Sequence, residues 1–498
     1  MDLKVFIKET TCLKPSKLSD DQYSERSQTI ELSGLDRISP AILNTVFFFK
    51  NTKEESVDVD DDDDGDDDDD DGDDVVERVI RGLQRVLVTW FPAAGRLGIH
   101  EKTGKLEIKC NDEGVLLVIA DTFSKLEEFG NKLHEYKTCY EKLVPQLPQN
   151  PAHISDNPLV ALQITKFSCG GISIGFGGSH SLFDGFGAFN FLASWAHFSS
   201  DKDYESQLFV PNHSRQKLLN AIMTTSSTAT SSSSLINKAA GSTSSIYEQQ
   251  HIAAIQDLYG IPMRAMAADD RCWESELAKL GQSPERRGIQ LLTLCMDKQA
   301  VENWKGLAAQ SGTLSKCSTF DVLCAHVWKA RVKALSLEPN TNICLQFPVN
   351  CRNRLRPPLG GDFTGNAFVL GSVSCTAKEL LEEPLEGTIG RIQAAKEVVA
   401  NDYIKLYVKA LENSSDKFFP SMRELTIITD WLKFPFEALD FGWRNKMLCG
   451  VALLGTPVPE AAFLMPNLDE PGNFLVRIGI GEENMTDFIT NFKSFNYP

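Results

Sequence analysis

No apolar stretch in this 498-residue sequence approaches the roughly 20 consecutive residues of a membrane-spanning helix, so no span is expected. The opening residues, Met-Asp-Leu-Lys-Val-Phe-Ile-Lys-Glu, lack the apolar core of a secretory signal, which points to a cytoplasmic protein. The twelve cysteines include no Cys-x-x-Cys pair. That argues against a zinc site and a disulfide framework, so reduced thiols and no bound metal are expected. Positive charge is also short. With 50 Lys and Arg against 68 Asp and Glu, the net charge is −18, and nucleic acid is disfavoured as a partner.

Most of that imbalance is local. Fourteen aspartates lie between Val57 and Val75, interrupted by Val59, Gly65 and Gly72; without their charges the net value is −4. Such a run repels itself and buries nothing, so a solvated, disordered loop is expected over about 54–74. Asp-x-Asp-x-Asp-Gly spacing occurs inside it, but a calcium loop also needs flanking helices and a final glutamate. A second low-complexity stretch, 224–245, is rich in Ser, Thr and Ala and reads as a linker or surface loop.

What remains is patterned like a soluble α/β protein too long for one core. Strands are expected at 4–8, 42–50, 106–110, 115–120, 159–167, 172–176, 290–296, 343–349 and 473–480. Amphipathic helices are expected over 76–89, 186–196, 319–335 and 483–492, with Ser318 or Thr319 capping the third. These elements divide the chain into an N-terminal domain over 1–200, a crossover over 201–285 and a C-terminal domain over 286–498.

One hexapeptide stands out. His180-Ser-Leu-Phe-Asp184-Gly185 follows a pair of apolar strands and precedes a helical pattern, which places an imidazole at a strand-to-loop junction. A histidine there suits a rigidly held general base. A hydrogen-bonded core histidine is the plainer reading, and the hexapeptide alone does not decide between them.

The hexapeptide resembles the His-x-x-x-Asp-Gly motif of the plant BAHD acyl-CoA-dependent acyltransferases, and other blocks extend the resemblance along nearly the whole chain. Residues 90–97, Trp-Phe-Pro-Ala-Ala-Gly-Arg-Leu, are similar to the family's Tyr-Pro-x-Ala-Gly-Arg-Leu block. Asn350-Cys-Arg-Asn-Arg-Leu-Arg-Pro-Pro-Leu359 and Gly365-Asn366 look like its (Asp/Asn)-x-Arg-x-Arg-x-x-Pro-Pro-Leu…Gly-Asn block. Asp440-Phe-Gly-Trp443 matches four residues of Asp-Phe-Gly-Trp-Gly, with Arg444 in place of the last glycine. Residues 429–435, Thr-Asp-Trp-Leu-Lys-Phe-Pro, resemble Thr-Ser-Trp-x-Arg-x-Pro of the shikimate and quinate hydroxycinnamoyltransferases.

The resemblance implies an α/β fold of two similar chloramphenicol-acetyltransferase-like domains with a solvent channel between them. It implies a monomeric enzyme whose partners are acyl-CoA, as co-substrate, and a small-molecule acceptor; no permanently bound cofactor is implied. His180 would be the catalytic base, taking a proton from an acceptor hydroxyl or amine without an acyl-enzyme. Asp184 would point away and pair with an arginine; among Arg352, Arg354 and Arg356 the favoured partner is Arg354. Gly185 would turn the chain, and Asp440, Gly442 and Trp443 would brace the channel wall. Thr429 and Lys433 would face the acceptor. Lys433 lacks the bidentate fork of arginine, so a shikimate-like acceptor is disfavoured, and an ordinary solvated lysine is an equal alternative. A hydroxycinnamoyl donor is preferred. The opposing reading is a non-catalytic family member acting as an accessory protein in wax or fatty-acyl elongation; Arg444 and the two long loops favour it, while the intact His180, Asp184 and Gly185 oppose it.

Overall fold

The computed structural model describes residues 3–16, 29–37, 42–51, 72–130, 132–147, 153–200, 209–223, 264–265, 288–310, 316–413, 418–419, 423–442, 445–453 and 460–494. The expected loops at 54–74 and 224–245 lie outside them, except that helix Gly72–Thr89 begins within the end of the first.

Two six-stranded sheets organise the chain. The first has the order Phe6–Leu13, Val115–Thr122, Val160–Phe167, Ile172–Ser179, Ile42–Asn51 and Asn445–Leu453. The second has the order Ile289–Met296, Phe474–Gly481, Ala462–Pro466, Leu425–Asp430, Asn342–Asn350 and Phe368–Thr376. Each mixes antiparallel neighbours with parallel pairing, Val115–Thr122 against Val160–Phe167 in one and Leu425–Asp430 against both its neighbours in the other. The first strand runs Phe6–Leu13 rather than 4–8, because its pairing with Val115–Thr122 continues to the Leu13–Val115 rung.

Helices Gly72–Thr89 and Gly185–Ser199 cover one face of the first sheet. Val79, Leu83, Val86 and Leu87 recur at helical spacing and are buried against Phe191, Leu192 and Trp195 and against Leu162 and Ile174 of the strands. Each such side chain removed from water contributes roughly 1.5–3 kcal/mol. The Trp195 indole N–H, which burial would otherwise strand, donates to the Val79 carbonyl at 2.9 Å.

The second core is built around helix Thr319–Ala334. Ser318 caps it: Ser318 Oγ accepts from the Asp321 N–H at 3.2 Å, and the Asp321 carboxylate accepts from the Ser318 N–H at 3.0 Å. The helix buries Val322, Leu323, Val327 and Trp328 against Ile343, Ile428 and Val476 of the second sheet.

The chain does not keep its halves apart. Strand Asn445–Leu453 leaves the second sheet's sequence region and pairs antiparallel with Ile42–Asn51 of the first. Residues 209–223 cross the other way: the Asn212 N–H donates to the Asp362 carbonyl at 2.8 Å, and the Thr364 N–H to the Asn212 carbonyl at 3.0 Å. His213 locks this crossing, with Nδ1 at 2.8 Å from Thr364 Oγ1 and Nε2 at 2.9 Å from the Thr89 carbonyl. Residues 362–368 of the second half are thereby brought against the loop that carries His180.

Candidate active site

Every residue of strand Ile172–Ser179 is buried, and the strand ends in a tight turn. The Ser179 N–H donates to the Leu159 carbonyl at 2.8 Å and the Leu182 N–H to the Ser179 carbonyl at 3.0 Å. Asp184 then takes an extended backbone and caps helix Gly185–Ser199, its Oδ1 accepting the Gly187 N–H at 3.0 Å. Residues 180–183 are thus a four-residue link fixed at both ends.

The rest of the Asp184 carboxylate belongs to the second half. Arg352 Nη1 donates to Oδ2 at 2.9 Å, Nη2 to Oδ1 at 3.0 Å, and the Ala367 N–H to Oδ2 at 3.1 Å. Arg352 also gives Nε to the Phe363 carbonyl and Nη2 to the Gly365 carbonyl, both at 2.9 Å, and lies over the Phe186 ring at 4.5 Å. This bidentate pair spans the two halves and leaves Asp184 fully engaged. It corrects the expectation that Arg354 is the partner. Arg352 lies two residues past the end of strand Asn342–Asn350 and turns inward, only 2% exposed. Arg354 and Arg356 are exposed, and Arg354 Nη1 donates instead to the Lys396 and Val399 carbonyls.

A second buried carboxylate supports the loop from the other side. Asp36 accepts from Asn366, and Arg215 Nε approaches it at 3.4 Å. Arg215 Nη2 donates to the Leu182 carbonyl, and Asn366 Nδ2 to the His180 carbonyl at 2.7 Å. Neither Asp36 nor Arg215 was expected from sequence. Ser33-Gly-Leu-Asp36 does have the spacing of a capping box, which the structure forms, but that signal speaks of a helix start and not of a site.

His180 itself is half-buried, its ring edge-on to Phe368 at 5.9 Å between centroids. Burial pushes the imidazole pKa below its ordinary value; the Asp184 charge opposes this most, followed by its own carbonyl, Asp36 and Asn366. The direction leaves the ring neutral at pH 7, the form that accepts a proton.

Gly185 does not turn the chain. It opens the helix without a positive φ, and a Cβ there would lie 3.2 Å from the Phe434 ring and 3.8 Å from the Trp431 indole nitrogen. Gly187 is the tighter position, since a Cβ would fall 2.5 Å from the Thr364 carbonyl oxygen and 2.6 Å from Phe183 Cβ. Gly187→Ala should therefore push the two halves apart locally and destabilise by about 1–3 kcal/mol, read as a lower melting temperature.

The turn after strand Leu425–Asp430 thus abuts the His180 loop through Trp431 and Phe434, and Phe434 stacks on Phe189 at 5.2 Å. Thr429 is half-buried in that strand and pairs with Phe463. Lys433 is exposed, and its charge acts on Asp430, whose pKa burial raises. Asp440 Oδ1 accepts the Gly442 N–H at 2.9 Å, and Gly442 has φ +74, a left-handed conformation that suits glycine. This turn drives Phe441 into the first core, edge-on to Trp195 at 5.0 Å and Phe49 at 5.8 Å. Trp443 and Arg444 lie outside the described residues. Among the described residues no group of three or more His, Cys, Asp and Glu could hold a metal ion.

Two α/β halves joined over a strand-end histidine define a two-domain acyltransferase of the chloramphenicol-acetyltransferase-like fold. The chain belongs to the plant BAHD acyltransferases: the family model described as "Transferase family" matches residues 3–495. The chain is 36% identical to "Brassinosteroid-related acyltransferase 1" of Arabidopsis thaliana over 482 residues, 95% of each chain. To "Omega-hydroxypalmitate O-feruloyl transferase" of the same plant it is 28% identical, over 98% of this chain and 93% of that one. The solved structure of F. graminearum TRI101 with coenzyme A and T-2 mycotoxin superposes with a TM-score of 0.66 and 15% identity, covering 92% of this chain and 96% of that one.

Proposed function

We propose that this acyltransferase moves an acyl group from an acyl-CoA thioester to a hydroxyl or amine of a plant metabolite, with His180 as general base in a ternary complex. The observation that carries the reading is a half-buried imidazole on a four-residue link that both halves of the molecule grip, with burial lowering its pKa. A thioester carbonyl is already electrophilic and CoA thiolate is a good leaving group, so the missing component is a deprotonated nucleophile. His180 takes the acceptor's proton as its oxygen or nitrogen attacks the carbonyl carbon. The tetrahedral intermediate then expels CoA thiolate, which recovers that proton from the imidazolium. No bond to the protein forms.

Coenzyme A in the TRI101 structure supports the thioester donor, and the feruloyl transferase relative supports a hydroxycinnamoyl group on it. The acceptor would approach along residues 429–434, where Trp431 and Phe434 lie against Gly185, and Thr429 and Lys433 would face it. Asp440 and Gly442 hold the turn that sends Phe441 against Trp195 of the helix after His180, which would brace the channel wall. We assign the three segments 1–200, 201–285 and 286–498 as two domains and a crossover, with Asn445–Leu453 returning to the first sheet. A cytoplasmic monomer with no bound metal fits this reading; among the described residues no helix is long and apolar enough to cross a membrane.

The test is CoA thiol release with a panel of hydroxycinnamoyl- and fatty-acyl-CoAs against alcohol and amine acceptors. A dependence on pH follows from the same geometry. Activity needs unprotonated His180, so kcat/KM should rise with pH through an apparent pKa below the ordinary 6.5 and then level off. A profile that instead turns on well above 7 would contradict it.

A further inference from the structure

Asn366 is fully buried, and its side-chain nitrogen is committed twice. Nδ2 donates to Asp36 Oδ1 at 2.9 Å and to the His180 carbonyl at 2.7 Å. The amide cannot flip, because its oxygen would then face a carboxylate and a carbonyl, both acceptors. Oδ1 is consequently held in one direction, yet it makes no hydrogen bond of normal geometry and is closed to solvent. An unmet acceptor in such a place is rare and calls for a partner. Its neighbour through the 2.7 Å carbonyl contact is His180, whose imidazole Asn366 makes more basic.

Asp36 is what fixes Asn366. Its Oδ1 also takes the Asn366 main-chain N–H at 3.0 Å, and its Oδ2 takes the Ser33 N–H at 3.1 Å and Ser33 Oγ at 2.6 Å. Asp36 is itself 1% exposed and lies in helix Gly34–Arg37, 144 residues before His180 in sequence. We propose that Asp36 is a positioning residue for the general base: it locks the Asn366 amide so that Oδ1 accepts the ring N–H of His180 and leaves the other ring nitrogen open to the acceptor's proton. A histidine base needs one nitrogen unprotonated and aimed, and a fixed acceptor at the other nitrogen supplies both conditions. The inference rests on the general-base reading of His180.

The experiment is NMR of the full-length enzyme labelled at histidine, with the His180 ring signals identified by their loss in His180→Ala. Wild type should show a single neutral tautomer with a hydrogen-bonded N–H. Asn366→Leu and Asp36→Asn should mix the tautomers, lower kcat at least tenfold, leave the acyl-CoA KM within twofold, and move the acid limb of the kcat profile to lower pH. A merely structural Asp36 would reduce folded protein without changing the tautomer or the pH limb of what folds. Rapidly exchanging tautomers in wild type would overturn the proposal even if both variants fail to fold. So would folded variants with wild-type tautomer and kcat. Turnover surviving His180→Ala would remove the general-base reading, while the ring signals still decide whether Asp36 and Asn366 hold the imidazole.

Discussion

Asp184→Ala is expected to remove most soluble enzyme before any effect on chemistry is measured. The substitution strands Arg352, which is 2% exposed and placed among main-chain carbonyls. It also removes the helix cap at Gly187 and the acceptor of the Ala367 N–H. Breaking a buried pair by deleting one partner costs about 3–5 kcal/mol, and losing a cap adds roughly 1 kcal/mol. Against a total stability of roughly 5–15 kcal/mol, that is enough to unfold much of the population. Arg352→Ala should act alike, and the double variant should cost less than the sum of the two, because each single change leaves a buried charge unpaired. Arg354→Ala, at an exposed side chain, should cost about 1 kcal/mol or less. Chemical denaturation of the four variants checks the order. If Asp184→Asn kept full stability and lost all turnover, a direct catalytic role would have to be restored.

His180→Ala separates chemistry from folding. The side chain is half-buried at the end of a link whose main chain is held by Asn366 and Arg215, so its loss should leave the melting temperature within a few degrees of wild type. Removing a positioned general base lowers turnover by roughly 10²–10⁴-fold. The acyl-CoA KM should move little, since the imidazole acts on the acceptor's proton rather than on the CoA moiety. A folded His180→Ala enzyme with a kcat near wild type would remove the assignment outright.

Local pattern made the core elements legible. The helix expected at 319–335 forms at Thr319–Ala334 behind its Ser318 cap, and the strands expected at 159–167, 172–176 and 343–349 form at Val160–Phe167, Ile172–Ser179 and Asn342–Asn350. The hexapeptide 180–185 is readable as a strand-to-helix link for the same reason. What pattern does not contain is which distant residues meet. Arg352, Arg354 and Arg356 share one motif and one charge; only the end of the strand at Asn350 decides that Arg352 turns inward. Asp36 sits in a four-residue helix that any surface turn could supply, and Arg215 opens a helix with no distinctive spacing. Both matter through pairings 330 and 33 residues along the chain, with Asn366 and Leu182. The return of Asn445–Leu453 to the first sheet is likewise a tertiary event: no strand was expected there from sequence, and its pairing partner lies near residue 48. Gly185 shows the converse error, a glycine read as a turn that instead opens the helix close under the Phe434 ring.

CoA release by wild type and His180→Ala, followed first with acyl-CoA alone and then after an acceptor is added, separates direct transfer from an acyl-enzyme. Direct transfer by a histidine base predicts no stoichiometric release from wild type before the acceptor arrives, steady release afterwards, and release from His180→Ala at least about a hundredfold slower. One equivalent of CoA released without acceptor, with the acyl group retained on the protein, would contradict direct transfer; undiminished steady release from His180→Ala would contradict the base.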